Sequence, residues 1–322
     1  MNTVFQFNAV SKRYKDLVAL DEFSLTGERG KVIALLGENG AGKTTAIKIL
    51  LGLLEANSGD ASVLGMKSRT EGDRIRKLVG YVPDNPTLYE WMTVAEIGWF
   101  VSGFMPQFNY LNQYEELIRR FQLSERKKIK ELSRGMKAKV ALSLAMAHNP
   151  SLLVLDEPTS GLDPMVRREF LESMVDVAAE GRTVLLSSHQ ILEVERVADS
   201  VAIIKQGKLE LFESLESLKQ RVSELTITLK NGRPDLPHIP GWVISQKKQG
   251  LTWQVIVRDF DFNMLEQVRN IADVSHAEMG VPSLEDIFLG YMHGDAGLPT
   301  GPPSVSQSEQ PVADTIEGDT QL

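Results

Sequence analysis

Residues 37–44 read Gly37-Glu38-Asn39-Gly40-Ala41-Gly42-Lys43-Thr44, a run of small residues that closes on a lysine and a hydroxyl. Small side chains let successive backbone N–H groups approach and wrap an anion, which is the chemistry of a phosphate loop. In that reading Lys43 reaches the β- and γ-phosphates of a nucleotide and the Thr44 hydroxyl binds Mg²⁺. A second constellation ends the apolar run of residues 152–155, where Asp156 and Glu157 stand side by side. An aspartate at the carboxyl end of a buried parallel strand can hold Mg²⁺ through water, and an adjacent glutamate can orient or deprotonate an attacking water. Taken alone, the two acids fit equally well a strand meeting solvent. His189 lies one strand further on, in Ser187-Ser188-His189.

Such groups need a scaffold that brings them together. Residues 31–36 (KVIALL) read as a short buried strand feeding the glycine-rich loop, and a helical pattern runs over residues 44–51. Further buried strands are expected at residues 151–155, 183–187 and 200–204, with a helix over residues 164–179 between. Strands alternating with helices imply a mostly parallel sheet covered on both faces. Between Trp91 and His148 the strand signal gives way to helical segments at residues 111–121 and 135–147, which marks a helical insertion over about residues 88–150. From residue 222 the character changes. Alternating runs at residues 225–229 and 251–257, a helix at 263–270, a strand at 274–279 and a last helix at 283–291 predict a small α+β domain over residues 222–293. Residues 294–322 are rich in Pro, Ser, Gly, Gln and acids, cannot bury enough to fold, and are expected to be a disordered tail.

Composition bounds the remaining possibilities. The 322 residues are 42% hydrophobic and 24% charged, ordinary for a folded globular chain. The net charge is −8, but Asp295, Glu309, Asp314, Glu317 and Asp319 lie beyond Tyr291 with no Lys or Arg among them, so the body is nearly neutral. Bulk charge therefore gives no support for a nucleic-acid partner. The absence of cysteine excludes disulfides, thiol catalysis and zinc–thiolate sites. The opening MNTVFQFNAVSKRY has no basic head, apolar run and small-residue cleavage site, so no secretory signal is expected. No stretch approaches the roughly eighteen uninterrupted apolar residues of a membrane span, and a role at a membrane would need another chain to cross it.

Around the two constellations, Leu132-Ser133-Arg134-Gly135-Met136 precedes Asp156 and Ser160-Gly161-Leu162-Asp163 follows it. This series resembles the ATPase subunits of ABC transporters over roughly residues 4–215. NGAGKTT, DEPTSGLDP and the closing SLEDIFL are most similar to the ATPase halves of bacterial ABC-2 type exporters. The resemblance implies an α/β fold: a phosphate-loop NTPase core of the ABC ATPase kind over residues 1–221 with its helical insertion, then the small α+β domain and tail.

It also implies roles. ATP and Mg²⁺ would be the cofactors, with Gly37, Asn39, Gly40, Ala41, Gly42, Lys43, Thr44 and Thr45 around the phosphates. Tyr14 would stack on adenine, with Val18 lining the same face, and Thr44, Asp84 and Asp156 would serve the metal. Glu157 would act as general base, with His189 and Lys43 on the γ-phosphate. Ser133 and Gly135 would start a helix facing the γ-phosphate held by another subunit, and Asp163 would communicate across that interface. Such a site is complete only in a homodimer, or a heterodimer with a homologous ATPase. Polytopic membrane permease subunits would dock a helix in a groove formed by residues 85–91 and the helical insertion. The protein would then work as an exporter ATPase, peripheral on the cytoplasmic face of the cell membrane, with no nucleic acid bound. The other class is a soluble ABC ATPase acting on ribosomes or nucleic acid, but such proteins generally carry two cassettes and this chain has one phosphate loop.

Two places depart from the family pattern. Arg134 and Met136 stand where glycine and glutamine are usual, so an apolar side chain replaces an amide. Arg134 brings a charge toward the phosphates, pairs with an acid, or is simply solvated at a helix start. Asp84 stands where glutamine is usual. A carboxylate can coordinate Mg²⁺ but cannot donate a hydrogen bond, so the metal contact is expected to tighten. The basic run from Arg126 to Lys139 reads as a solvated helix face. For the second domain, the resemblance implies dimer support or regulation.

Overall fold

A computed structural model of the chain describes residues 2–105, 109–230 and 235–293; the tail expected from residue 294 lies outside them. The chain opens with two long antiparallel strands, β1 (Thr3–Tyr14) and β2 (Leu17–Glu28). β3 (Val32–Leu36) follows and runs through the glycine-rich loop into α1 (Lys43–Leu50). β4 (Ser58–Val63) and β5 (Met66–Lys67) complete an antiparallel sheet of order β2-β1-β4-β5. None of these four strands follows from the hydrophobic pattern. The β1–β2 pairing shifts register repeatedly, and Ala9 and Glu22 adopt left-handed φ of 47° and 50°. Each bulge reverses which face a side chain points to, so no alternation survives along the strand.

The central layer is legible. α2 (Ser68–Leu78) leads into β6 (Val79–Val82), and the helical insertion carries α3 (Val94–Ser102), α4 (Tyr110–Arg120) and α5 (Arg134–Met146). β7 (Leu152–Asp156), α6 (Pro164–Ala179), β8 (Thr183–Ser188), α7 (Ile191–Val194), β9 (Ser200–Lys205) and β10 (Lys208–Ser214) follow. The six-stranded sheet has the order β10-β9-β3-β8-β7-β6 and is parallel except for β10. Every residue of β3, β7 and β8 is buried, which is why each reads as an unbroken apolar run rather than an alternating one. The insertion is pinned by phenols. Tyr114 donates to the Val94 carbonyl and Tyr110 to the Leu144 carbonyl, each at 2.8 Å. Tyr114 also lies flat on Gly98, where a Cβ would sit 2.1 Å from the ring.

Beyond α8 (Leu215–Arg221) the chain forms β11 (Val222–Leu229), β12 (Trp242–Gln249), β13 (Thr252–Arg258), α9 (Phe262–Arg269), β14 (Val274–Gly280) and α10 (Leu284–His293). The strands make an antiparallel sheet of order β12-β13-β11-β14. Its inner face and α9 share a separate core containing Leu225, Ile227, Val255, Val257, Leu265 and Val268. The last helix lies against the other face of that sheet, with Gly290 on Ile244 and Ser245, and packs on the first 221 residues as well. Leu284, Ile287, Phe288, Tyr291 and Met292 of α10 are buried in the same cluster as Val194, Val201, Ile203 and Leu218 of the first 221 residues. Arg258 of β13 is 2% exposed and pairs with Glu213 of β10 at 2.7 Å, a second bond across that boundary.

Candidate functional site

Sheet register builds the site. Leu36 pairs with Ser188 on one side and Ile203 on the other, Asp156 pairs with Ser187, and Val82 with Leu155. The carboxyl ends of β3, β6, β7 and β8 therefore finish at one edge, where ligands of open parallel sheets bind. That edge brings together the 37–44 loop, Asp84, the Asp156–Glu157 pair and His189. Residues far apart in sequence meet because four strands stop level.

The loop has the shape its composition predicts. Gly42 is left-handed, with φ of 112°, and a Cβ there would lie 2.4 Å from the Ala19 carbonyl oxygen. A Cβ on Gly37 would lie 2.6 Å from the Ile204 carbonyl oxygen. Only glycine fits either position, whereas Gly40, Asn39 and Thr44 lie open to solvent. The cradle is thus bare backbone on its outer side and tightly packed on its inner side, which suits a phosphate chain.

Three charged groups converge beside it. Lys43 is 6% exposed, and its Nζ donates to the Gly37 carbonyl at 2.6 Å and lies 3.0 Å from Glu157 Oε1. The other oxygen of Glu157 lies 2.7 Å from His189 Nδ1. One carboxylate therefore joins the lysine and the histidine, and the three define a point at which a terminal phosphate and its attacking water would sit. Glu157 has a left-handed φ of 49°, costly for a residue with a Cβ. Its N–H is held by the Ser187 hydroxyl at 3.0 Å and the Ser187 carbonyl at 3.2 Å.

Asp156 is 1% exposed and accepts from the Ser187 hydroxyl at 2.6 Å. Burial pushes its carboxyl above the usual range; hydrogen bonds from Ser187 and Thr44 oppose the shift, and the charges of Glu157 and Asp84 add to it. The Thr44 hydroxyl and Asp156 carboxylate form a pair of hard oxygen donors, the kind Mg²⁺ takes together with phosphate oxygens. Among the described residues no three His, Cys, Asp or Glu side chains cluster as a self-sufficient metal site. Ser187 is the residue the motif reading overlooks. A hydroxyl ending an otherwise apolar buried strand was its signal.

The ABC transporter family model matches residues 20–160. A Nostoc protein described as an uncharacterized ABC transporter ATP-binding protein is 33% identical over 286 residues, covering 86% of this chain and 84% of its own. Human ATP-binding cassette sub-family A member 2 is 36% identical over 241 residues, or 72% of this chain, and the chain spans 10% of that protein's length. A solved ATP-binding subunit of an ABC transporter, 31% identical, superposes with a TM-score of 0.62 over 67% of this chain and 92% of its own. The chain belongs to the ATP-binding proteins of ABC transporters.

Read as an ABC ATP-binding protein, the remaining expected residues fall in two places. Tyr14 ends β1, is 44% exposed, and carries Lys12 Nζ 5.3 Å from its ring centroid; Val18 is half-buried on the partner strand. At the start of the last helix of the insertion, Ser133 caps α5 by accepting from the Met136 N–H at 3.2 Å. Asp163 caps α6 by accepting from the Met165 and Val166 N–H groups. Gly135 packs under Val166, where a Cβ would lie 2.9 Å from Cγ1. Ser133 and Asp163 are thus exposed helix caps, with Gly135 buried beneath Val166 between their helices.

The departures resolve differently. Met136 is half-buried against the core of the insertion, so its apolar side chain contributes packing. Arg134 is exposed and its guanidinium lies over Gly161, where a Cβ would be 2.2 Å from Nη1. Asp84 is exposed, and it acts on Asp156 through its charge. Asp84 and Asp156 together also raise the neighbouring Tyr81 phenol, which burial chiefly pushes up to about 12. In the basic run, Lys137 and Lys139 pair with Glu90 and Glu169.

A hollow of about 350 Å³ opens between the sheet edge and the insertion, lined by Tyr81, Pro83, Pro86, Leu88, Met105, Leu144 and His148 among others. Beside it Tyr89, Trp91, Trp99 and Phe104 are all more than half exposed. Tyr89 touches Trp91 and Phe100, and Phe100 touches Phe104, giving a continuous aromatic strip. A larger hollow of about 820 Å³ lies on the accessory sheet around Trp242 and Trp253, lined by no residue of the phosphate loop.

Proposed function

We propose that this ABC ATP-binding protein hydrolyses Mg²⁺-bound ATP as a dimer and drives a membrane-spanning partner, as the ATPase of an exporter. The observation that carries hydrolysis is the convergence of Lys43, Glu157 and His189 beside the bare glycine cradle. Lys43 binds the β- and γ-phosphates, and Gly37, Asn39, Gly40, Ala41, Gly42, Thr44 and Thr45 surround the rest of the chain of phosphates. Tyr14 carries the adenine. Thr44 and Asp156 would hold Mg²⁺, which would supply neutralisation of the phosphate charge, and Asp84 would act on the pair through its charge. Glu157 takes the proton of the attacking water, and His189 orients that water and the γ-phosphate. Ser133, Gly135 and Asp163 serve the nucleotide of a second subunit, homologous or identical; Ser133 and Asp163 are exposed helix caps, and the hydrogen bonds of their side chains stay within their own helix starts.

The aromatic strip and its hollow support a protein partner. No helix among the described residues is long and apolar enough to cross a membrane. Exposed aromatics clustered at a concave surface fit a docked helix. The exporter direction rests on NGAGKTT, DEPTSGLDP and SLEDIFL alone. We assign residues 1–221 to the ATPase domain and residues 222–293 to the accessory domain, with α10 shared between their cores.

Two measurements test this. A positioned base contributes about 10² to 10⁴ in rate, so Glu157→Gln is expected to cut steady-state turnover by that factor, retain ATP and accumulate as an ATP-bound dimer in light scattering. Undiminished turnover removes Glu157 from the role. Gentle solubilisation of source-cell membranes, with the tagged chain at native level, is expected to co-purify a polytopic membrane protein. Recovery only with ribosomes or nucleic acid overturns the transport reading.

A further inference from the structure

Glu193 is a buried carboxylate with no part in the chemistry above. It lies on α7, four residues beyond His189, and is 8% exposed. Its Oε2 accepts from the Thr159 hydroxyl at 2.6 Å and its Oε1 lies 2.8 Å from Arg167 Nη1. Thr159 is 2% exposed. Arg167, in the first turn of α6, also donates from Nη2 to the Leu162 carbonyl at 3.2 Å. One carboxylate thus grips both ends of the loop that runs from Glu157 to Asp163.

That loop is itself stiff. Ser160 N–H donates to the Glu157 carbonyl and Leu162 N–H to the Thr159 carbonyl, each at 3.1 Å, and Gly161 supplies the left-handed residue between them at φ of 68°. Two carboxylate links therefore cross between the loop and the segment after β8, in opposite directions. Glu157 of the loop holds His189, and Glu193 of the segment holds Thr159. Buried ion pairs contribute little net stability compared with apolar packing, and their best-attested use is to fix one register between elements. A hydroxyl–carboxylate–guanidinium set with contacts of 2.6 and 2.8 Å is such a device.

We propose that Glu193 is a positioning residue that ties the His189 segment to the Thr159–Asp163 loop, so that a change of partner at His189 moves the loop. The proposal rests on the ATPase reading. When His189 exchanges Glu157 for a γ-phosphate, the first link opens and the second stays closed. α7 is a single turn, so Glu193 shifts with His189 and carries Thr159 with it. Gly161 and Asp163 are the exposed part of the loop, with Ser160 half-buried beside them, and they are where the second subunit would meet it. The occupant of one site is thereby transmitted to the interface that completes the other.

The test uses the full chain with four variants: Glu193→Ala, Thr159→Val, the double variant and Thr159→Ser. Turnover, KM, affinity for a fluorescent methylanthraniloyl-ATP and melting temperature are measured for each. Residues in coupling networks typically act by about two- to thirtyfold. Glu193→Ala and Thr159→Val are each expected to lower kcat by about tenfold, within that range, with nucleotide affinity nearly unchanged; Glu193→Ala also lowers the melting temperature, because it leaves the Arg167 guanidinium and the Thr159 hydroxyl without their partner. The double variant is expected to fall no further than the worse single one, because both break the same link. Thr159→Ser, which keeps the hydroxyl, is expected to restore turnover. If Glu193→Ala fails to fold, the Thr159→Val and Thr159→Ser pair decides the matter. Full turnover in folded Thr159→Val overturns the proposal, as do multiplicative losses in the double variant or a loss of nucleotide affinity that parallels the loss of rate in Thr159→Val. A parent chain that binds but never hydrolyses ATP overturns the ATPase reading and the proposal together, and is recognised because it appears without any substitution.

Discussion

Phe288→Ala asks whether α10 belongs to the accessory domain or to the ATPase core. Phe288 is 5% exposed and lies in the large cluster that joins Val194 and Leu218 of the ATPase core to Ile244 and Ile256 of the accessory sheet, not in the accessory core around Leu225 and Val255. Truncating a buried phenylalanine costs about 3–5 kcal/mol, the transfer free energy of the ring plus the cavity left behind. For a cooperative unit of 150–250 residues each kcal/mol moves the melting temperature by about 2–4 °C, and for a unit of 60–100 residues by about 4–8 °C. If α10 is welded to the ATPase core, the transition that ATP stabilises should fall by about 6–20 °C. Scanning calorimetry with and without Mg²⁺ and ATP identifies that transition, because a ligand that binds only the folded core raises its melting point. The result that refutes the packing argument is a fall confined to a transition that ATP does not move. Val281→Ala is the control; Val281 is 74% exposed just ahead of α10 and should shift neither transition.

Three further outcomes follow from the site. Asp156→Asn should abolish Mg²⁺-dependent turnover while raising the melting temperature at neutral pH. Burial holds the folded carboxyl above its ordinary range, so the folded state binds the proton more tightly than the unfolded one and the parent gains stability as pH falls through the folded value toward the ordinary carboxylate range. The advantage of the variant should shrink over that same fall, and a variant that is less stable than the parent at neutral pH contradicts the account. Tyr14→Ala should weaken ATP and GTP alike, since stacking tolerates any base; a loss of about 1–3 kcal/mol reads as a higher Kd in fluorescence titration with kcat preserved. Arg134→Gly should leave ATP affinity intact and change turnover only modestly, because the guanidinium covers Gly161 rather than the phosphate loop; loss of nucleotide binding in equilibrium dialysis would show otherwise.

What could be read from the sequence was set by how local each constraint is. β3, β7 and β8 are buried along their whole length, so their apolar runs announce them, and the helices at 110–120 and 134–146 lie within a residue of the positions their periodicity gives. β1 and β2 stay hidden because neighbouring Val4 and Phe5 are both buried and the bulges at Ala9 and Glu22 break the two-residue period. β12 stays hidden because residues 246–249 at its end are exposed, as befits an edge strand. The destination of α10 could not be read at all. Its apolar positions show that it packs, but not on which of two adjacent cores.

The site divides along the same line. The phosphate cradle needs particular residue types at consecutive positions, so a few letters specify it before any fold is known. Glu193 needs only to face inward. It shares the run Glu193-Val194-Glu195 with a second glutamate of identical chemistry, and Glu195 is 25% exposed and pairs with Lys219 at 2.9 Å on the far side of the turn. Which of the two reaches Thr159 is decided by where Gln190 starts α7 after β8, and β8 in turn is set by its register with β3 and β7. Groups that bind a substrate are constrained by that substrate and leave a pattern in the chain. Groups that link one loop to another are constrained only by the finished fold, which is why the link between His189 and the Asp163 loop shows itself in the structure and has no signature in the sequence.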